Sequence, residues 1–523
     1  MIVTMTGTRR WWALGAVTLA VLAVGLDSTV LSVALPTLAT ALHASESDLQ
    51  WFTSGYLLVL AAAMLPAGLA GDRYGRKRVL LGSLALFGLG SAACAESPSS
   101  GAFLAARLGL GLAGAGVIVM AVSALTVLFS EEERPRAVGV WAAANFVALP
   151  VGPILGGWLL THEWWGWVFL MNVPVALIGI VAVGALVPET RAARRPSLDP
   201  LGVLTSSAGL VGVTYGVIEV GQHGWSDRPA LVAIVLGLLV LVGFFLWERR
   251  LTHRPNGQPL IDLALFQSRA FTWGVLLMTV AVLAMIGALF TMPQYFQGVR
   301  GTDAMGSGVR LLPLIVGLLV GAVPADRIAG RWGPRLTVAV GFAVLAAGLL
   351  AGGTTRANSS TTFVALWMAV VGAGMGLAMA TAASAALSAL SEERSGVGSA
   401  VLQALKNVGA PFGAALMGSA LNSTYQSHVG PLVAGLPSAA AHAVAGSVFG
   451  GVAVAEQLHS AALLGGVRDA FVQGMDVALL VSAGVALAGT LLALAFLPRR
   501  AERGARVEPA AGERVESTHE AAV

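Results

Sequence analysis

Cysteine, lysine and charge are scarce in this 523-residue chain. The single cysteine, Cys94, excludes an internal disulfide and a cysteine-based metal cluster. Lysine occurs only at Lys77 and Lys406, so nearly all positive charge is arginine. Charged residues make up 11% of the chain, against about 25% in ordinary soluble proteins. Hydrophobic residues make up 56%, too many for one water-soluble core of this length to hide. No G-x-x-x-x-G-K-[ST] loop occurs, which argues against ATP-driven work by this chain alone. No catalytic triad or metal cluster stands out, and no cofactor, metal or nucleic-acid partner is expected.

What the chain has is long apolar runs. A membrane-spanning helix needs about 20 mostly apolar residues. Fourteen stretches qualify, near 11–38, 50–70, 79–96, 102–127, 136–159, 166–187, 200–219, 230–248, 271–295, 305–324, 335–353, 361–388, 396–421 and 472–496. The first follows Arg9 and Arg10 like a signal peptide, but it is long, holds Asp27 and Pro36, and lacks a small-residue cleavage site, so a retained helix is expected. Threading the chain through these spans puts the 31 Lys and Arg on one side of the membrane, except Arg228, Arg300, Arg356 and Arg468 on the other and Arg107, Arg310 and Lys406 inside spans. That asymmetry predicts a multi-pass protein of the cytoplasmic (inner) membrane with both termini in the cytoplasm. The glycine count, 65, suits close helix contacts in lipid.

An internal echo organises the spans. GLAGDRYGRKRV (68–79) follows the second and GAVPADRIAGRWGPRL (321–336) the tenth, each placing Asp-Arg and then Gly at a helix end. The expected fold is all-α and integral to the membrane, two six-helix bundles plus two inserted helices, 14 transmembrane helices in all. Residues 1–190 would form the N-terminal half, 191–269 the inserted pair with its linkers, and 270–498 the C-terminal half. The segment 422–470, with His428, His442 and His459, is expected outside, partly as an interfacial helix. The polar tail 499–523 is expected to be disordered.

The first echo loop resembles a signature of the major facilitator superfamily, G-x-x-x-D-R-x-G-R-K-R, at Gly68, Asp72, Arg73, Gly75, Arg76, Lys77 and Arg78. Asp72 can face a helix N-terminus, Arg73 and Arg76 can pair with acids, and Gly75 permits a tight turn. The resemblance implies a cytoplasmic latch between two halves that rock. WAAANFVALPVGPILGGWL (141–159) resembles the fifth-helix motif of the superfamily's drug exporters at Gly152, Pro153, Gly156 and Gly157, with Ala148 where Gly is usual and Gly139 in register. That motif implies an antiporter. FLAARLGLGLAGAG (103–116) resembles the fourth-helix motif, with Arg107 four residues before Gly111. The resemblance implies proton coupling by Arg107; snorkelling to the interface remains open.

LDSTVLSVALP (26–36) resembles the first-helix motif of the fourteen-helix drug:proton antiporter branch, the quaternary-ammonium and multidrug efflux type, with Ser32 where Asn is usual. Asp27 lies some 15 residues deeper than Trp11 and Trp12, about 24 Å at 1.5 Å per residue, past the middle of a core about 30 Å thick. A carboxylate there is neutralised by a proton or by a cationic substrate, so it can exchange one for the other. Further lines fit the branch, among them QWFTSGYLLVLAAAMLPAGLAGDR (50–73), VFLMNVPVALIGI (168–180) and MPQYFQGVRG (292–301), although Trp165-Gly166-Trp167 lacks the Arg often found there. Tyr56 and Asn145 can line a substrate cavity or simply pack, and Glu219 near the outer end of the seventh span is a further substrate-binding candidate.

The expected function is therefore proton-coupled export of amphipathic, often cationic drugs or antibiotics by alternating access, with no enzymatic activity. The partners would be a small molecule, protons and lipid, and a monomer should suffice. Export of an endogenous lipid or a self-made antibiotic is the alternative, and a non-transporting membrane sensor a more distant one.

Overall fold

In the computed structural model, residues 7–129, 137, 151–190, 199–224, 226–254, 263–388 and 395–499 are described. They are helical apart from short turns. The order is α1 Gly7–Ala41, α2 Glu46–Tyr74, α3 Arg76–Ala95, α4 Ser100–Leu128, α5 over 151–162, α6 Trp167–Leu170, α7 Asn172–Leu186, α8 Pro200–His223, α9 Arg228–Thr252 and α10 Arg269–Gln294. Then follow α11 Ala304–Arg310, α12 Leu312–Ala322, α13 Ala325–Trp332, α14 Pro334–Gly352, α15 Thr361–Ser388, α16 Ser395–Val429, α17 Ser438–Gly446, α18 Val448–Gln457 and α19 Ala461–Phe496.

The helix starts are written in the sequence. Ser45, Ser99, Asp199, Asp227, Ser268, Asp303 and Ser460 each accept a hydrogen bond from a first-turn amide. Ser45 and Asp48 close a full capping box. Such caps matter where lipid offers no water to satisfy the first amides.

Among the described residues eleven helices are long and apolar enough to cross a bilayer, or twelve with α2, which bends by 45° between Met64 and Pro66. The expected fourteen are not reached. The fifth stretch lies partly outside the described residues, and α16, although 35 residues long, carries Gln403, Lys406 and Asn407 within two turns. The segment between α16 and α19 is shorter than expected, because those helices run on to Val429 and start at Ala461; it holds α17 and α18.

The apolar side chains form two cores. One draws on α1 to α7 and the other on α10 to α19 with Phe244 of α9. Val33 of α1 belongs to the second core and Phe290 of α10 to the first, so the cores interlock there. α8 and α9 form a hairpin in which Gly209, Gly212 and Gly216 face α9 between Ala230 and Leu241, and Trp247 Nε1 donates to the capping Asp199 at 2.9 Å. The hairpin rests against α2 and α16, where Ser419 Oγ donates to the Val217 carbonyl at 2.8 Å. Its other face leaves Leu231, Val232, Val235, Leu236 and Leu239 exposed, which suits lipid.

The two echo loops turn alike. Gly75 has φ 114° and leads into α3; Gly333 has φ 81° and leads into α14. A side chain at Gly75 would strike Glu189, just after α7, and one at Gly333 would strike the Arg499 carbonyl, just after α19. In each core the segment leaving the last helix roofs the same corner.

Candidate functional site

The middle of α1 carries Asp27, only 1% exposed. Arg107 of α4 donates from Nη1 to Asp27 Oδ2 at 2.7 Å, and neither side chain meets solvent. Asn172, the first residue of α7, donates from Nδ2 to Asp27 Oδ1 at 3.3 Å and lies 3.4 Å from Ser91 Oγ of α3. Tyr56 of α2 lies against the guanidinium, 4.1 Å from Cζ to ring centre, with its hydroxyl 3.2 Å from Ser28 Oγ. Five helices thus converge on one charge pair. Arg107 therefore does not snorkel; it turns inward.

Local sequence explains the convergence. A side chain at Gly111 would meet the Tyr56 carbonyl and, at 3.2 Å, the Leu60 amide nitrogen; one at Gly114 would lie 3.4 Å from the Tyr56 hydroxyl. These glycines let α2 approach α4 closely enough to lay Tyr56 on Arg107. An unpaired Arg at this depth would cost several kcal/mol, so the carboxylate is its condition for burial. The pairing is incomplete: Arg107 Nε and Nη2 are buried without a hydrogen-bond partner. One charged hydrogen bond and an aromatic face hold the guanidinium, which is weaker than a two-pronged pair.

The glycine motif of α5 sits beside this cluster. Side chains at Gly152 and Gly156 would strike Thr29 and Val30 of α1, and one at Gly157 would come within 2.6 Å of Met305 Cα in α11. From the other side, a side chain at Gly308 would strike the Pro153 carbonyl. α5 is wedged between the helix that carries Asp27 and a helix built into the second core.

In the loop after α2, Arg76 Nε and Nη2 donate to Asp72 Oδ1 at 3.1 and 2.9 Å. Arg73 lies 5.8 Å from the Tyr74 ring, and a side chain at Gly68 would lie 3.5 Å from Val119. Glu189 accepts from the Lys77 amide at 3.2 Å and pairs with Arg78 at 3.6 Å. The Arg76 amide donates to the Thr190 carbonyl and Lys77 Nζ to that of Gly184. These contacts stay within the α1–α7 bundle. Glu219 of α8 pairs with His223 at 3.2 Å and does not join the Asp27 cluster. Asn145, Ala148, Gly139 and the tail after 499 lie outside the described residues.

Sequence reasoning missed Asn172, Ser91 and Glu189. Their signal was present: Asn172 interrupts VFLMNVPVALIGI, and Glu189 follows the sixth apolar stretch directly.

The major facilitator superfamily profile matches residues 17–414. This chain belongs to the major facilitator superfamily. The transporter is 34% identical to the tetracenomycin C resistance and export protein of Streptomyces glaucescens, over 94% of this chain and 92% of that one. It is 31% identical to the multidrug efflux pump LfrA of Mycolicibacterium smegmatis, over 93% and 96%. It is 32% identical to the methyl viologen resistance protein SmvA of Salmonella typhimurium, over 95% and 99%. Its fold is similar to an inward-facing, unoccupied bacterial homologue of the lysosomal transporter Spinster, with TM-score 0.66, 18% identity and 95% and 99% coverage. It is a multi-pass membrane transporter, not an enzyme, whose relatives over most of its length are multidrug and antibiotic efflux proteins.

Proposed function

We propose that the transporter is a proton-coupled exporter of amphipathic, often cationic drugs or antibiotics, working by alternating access across the cytoplasmic membrane. The observation that carries the reading is the sealed Asp27–Arg107 pair. Asp27 can hold a guanidinium, a proton or a cationic cargo, but the incomplete pairing of Arg107 makes the first of these exchangeable. A proton that reaches Asp27 neutralises it and loosens Arg107; a cation arriving at α1 and α4 competes for the same carboxylate and displaces the proton. Coupling of this kind needs no new binding energy, only that proton and cargo exclude each other.

The two cores, each closed by the same glycine corner, support two halves that move as bodies, with α8 and α9 inserted between them. We read the chain as fourteen spans with both termini in the cytoplasm and a monomer as the working unit. On that reading the Asp72–Arg76 corner faces the cytoplasm, and the corner bound to Glu189 is one half of a latch released when the bundles rock. The wedge of Gly152, Pro153, Gly156 and Gly157 joins the proton site in α1 to the second bundle, which suits an exchanger.

A second reading, export of a compound the cell itself makes, is favoured by the similarity to the tetracenomycin C resistance and export protein. Both readings share one test. Wild type and Asp27→Asn are placed in vesicles, a pH gradient is imposed, and ethidium movement is followed. Gradient-driven movement in the wild type alone is expected. Movement that persists after the gradient is collapsed would reject proton coupling.

A further inference from the structure

A second buried acid, Glu46, stands apart from the Asp27 cluster. It opens α2 and is 2% exposed, although it lies close to the end of its span. What buries it is the other bundle. Gln294 of α10, buried as fully, donates from Nε2 to Glu46 Oε1 at 3.2 Å across 248 residues of sequence. Around it the seam is polar and poorly satisfied. Gln294 Oε1 has no hydrogen-bond partner, nor has either amide atom of Gln50, one turn along α2. Gln50 lies against Gly418 of α16, where a side chain would come within 2.5 Å of it, and Asn422 Oδ1, one turn further, is also unpartnered.

The charges around Glu46 do not balance it. On its own side, Asp48 is committed to Ser45, and His43 is exposed. On α16, Tyr425 is its titratable neighbour and donates to the Val444 carbonyl, while His428 bonds back to Thr424. Glu219 and His223 of α8 pair with each other, Arg107 of α4 is committed to Asp27, and Arg300 beyond α10 donates to the Ala357 carbonyl. None of these groups bonds to Glu46, whose hydrogen-bond partner is the neutral amide of Gln294.

A carboxylic acid suits that amide better than a carboxylate does. The amide nitrogen donates to one acid oxygen; a proton on the other is the donor that the orphaned Gln294 carbonyl lacks. An ionised carboxylate shut in without a cation would cost several kcal/mol. Two influences therefore oppose each other at this residue. The N-terminus of α2 favours the ion, and the closed seam favours the neutral acid. Parting the bundles removes the second and leaves the first.

We propose that Glu46 is a second proton-binding residue of the transporter, which holds its proton while the two bundles are closed over it and releases it to water when they part at that end. The proposal deepens the proton-exchange reading and rests on it for the direction of travel: the Glu46 end is the outer face, so opening outward is tied to giving up a proton there. Three polar side chains left unsatisfied in the closed seam, Gln50, Gln294 and Asn422, keep that closure reversible, because each regains water on opening.

The test reads distance against pH. Thr40 and Ser427 are exposed at the ends of α1 and α16 nearest Glu46, and the one native cysteine is buried. Spin labels on Thr40→Cys and Ser427→Cys in the full chain in nanodiscs report the opening. The wild-type background should shift from the shorter to the longer distance as pH rises, and Asp27→Asn should keep that shift. Glu46→Gln, which has the shape of the neutral acid, should lose it and stay at the shorter distance throughout. A pH-dependent shift that survives Glu46→Gln, or one absent from the wild-type background, would overturn the proposal. Ethidium movement by the same proteins is measured separately: movement that ignores the pH gradient sinks the exchanger reading and leaves the distances to decide on Glu46.

Discussion

The two bundles turn the same glycine corner but are held together differently inside. The first keeps a charge pair at its centre: Asp27 and Arg107, with Asn172, Ser91 and Tyr56 around them. The second is closed by backbone contact. α15 is clamped between α12 and α14, where side chains at Gly317, Gly321, Gly372 and Gly376 would strike the facing backbone of α12 or α15, and ones at Gly341 and Gly374 the facing backbone of α14 or α15. Glycine contact of this kind has one good geometry. A monodentate ion pair has alternatives, and on the proposed reading proton, arginine and cargo take turns at the carboxylate. On the proposed reading the first bundle changes state and the second is what it is pushed against.

Asp27→Asn gives the largest effect on this account: gradient-driven export falls to background, and Arg107, left buried without its carboxylate, lowers stability by about 3–5 kcal/mol. Transport in that variant at the wild-type rate would remove the distinction between the bundles. Arg107→Gln leaves the carboxylate buried and alone, and should lower stability by about 3–5 kcal/mol. Combining it with Asp27→Asn should restore most of the lost melting temperature and none of the transport.

Gly372→Leu presses a side chain into the Leu314 carbonyl of α12 and should cost about 1–3 kcal/mol or more. Here melting temperature and ethidium movement should fall together, unlike in the Asp27→Asn, Arg107→Gln double variant, which keeps most of its stability and loses transport. Gly157→Val pushes α5 off α11 between the cores; export should slow roughly tenfold, about 1.4 kcal/mol in the rate-limiting step, with little change in melting temperature. Glu219→Gln breaks a part-exposed pair worth about 0–1 kcal/mol and should change export by less than twofold.

Much of this was legible in the chain. Apolar runs marked the helices, because lipid leaves the backbone no other partner than its own helix; the Ser and Asp caps at their starts came from the structure. The loop pattern gave Gly75 its tight turn; Gly111 was read only as part of the fourth-helix motif, and the close approach of α2 came from the structure. The partnership of Asp27 with Arg107 was not legible: both were candidates, but 80 residues separate them, and which face of α1 meets α4 depends on packing. Glu46 was hidden for a different reason. A glutamate after Ser45 reads as a first-turn helix residue, and only the arrival of Gln294 from another bundle makes it a buried acid. Asn172 was visible as a polar break in an apolar run, without anything in the run to say what it bonds.

The most direct measurement of the central claim is proton release on cargo binding. Purified transporter in weakly buffered detergent solution is mixed with ethidium while a pH dye is read, for wild type and Asp27→Asn. Protons should appear in proportion to ethidium bound by the wild type, with most of that release lost in the variant. Equal release by both proteins, or binding with no release by the wild type, would contradict the exchange at Asp27.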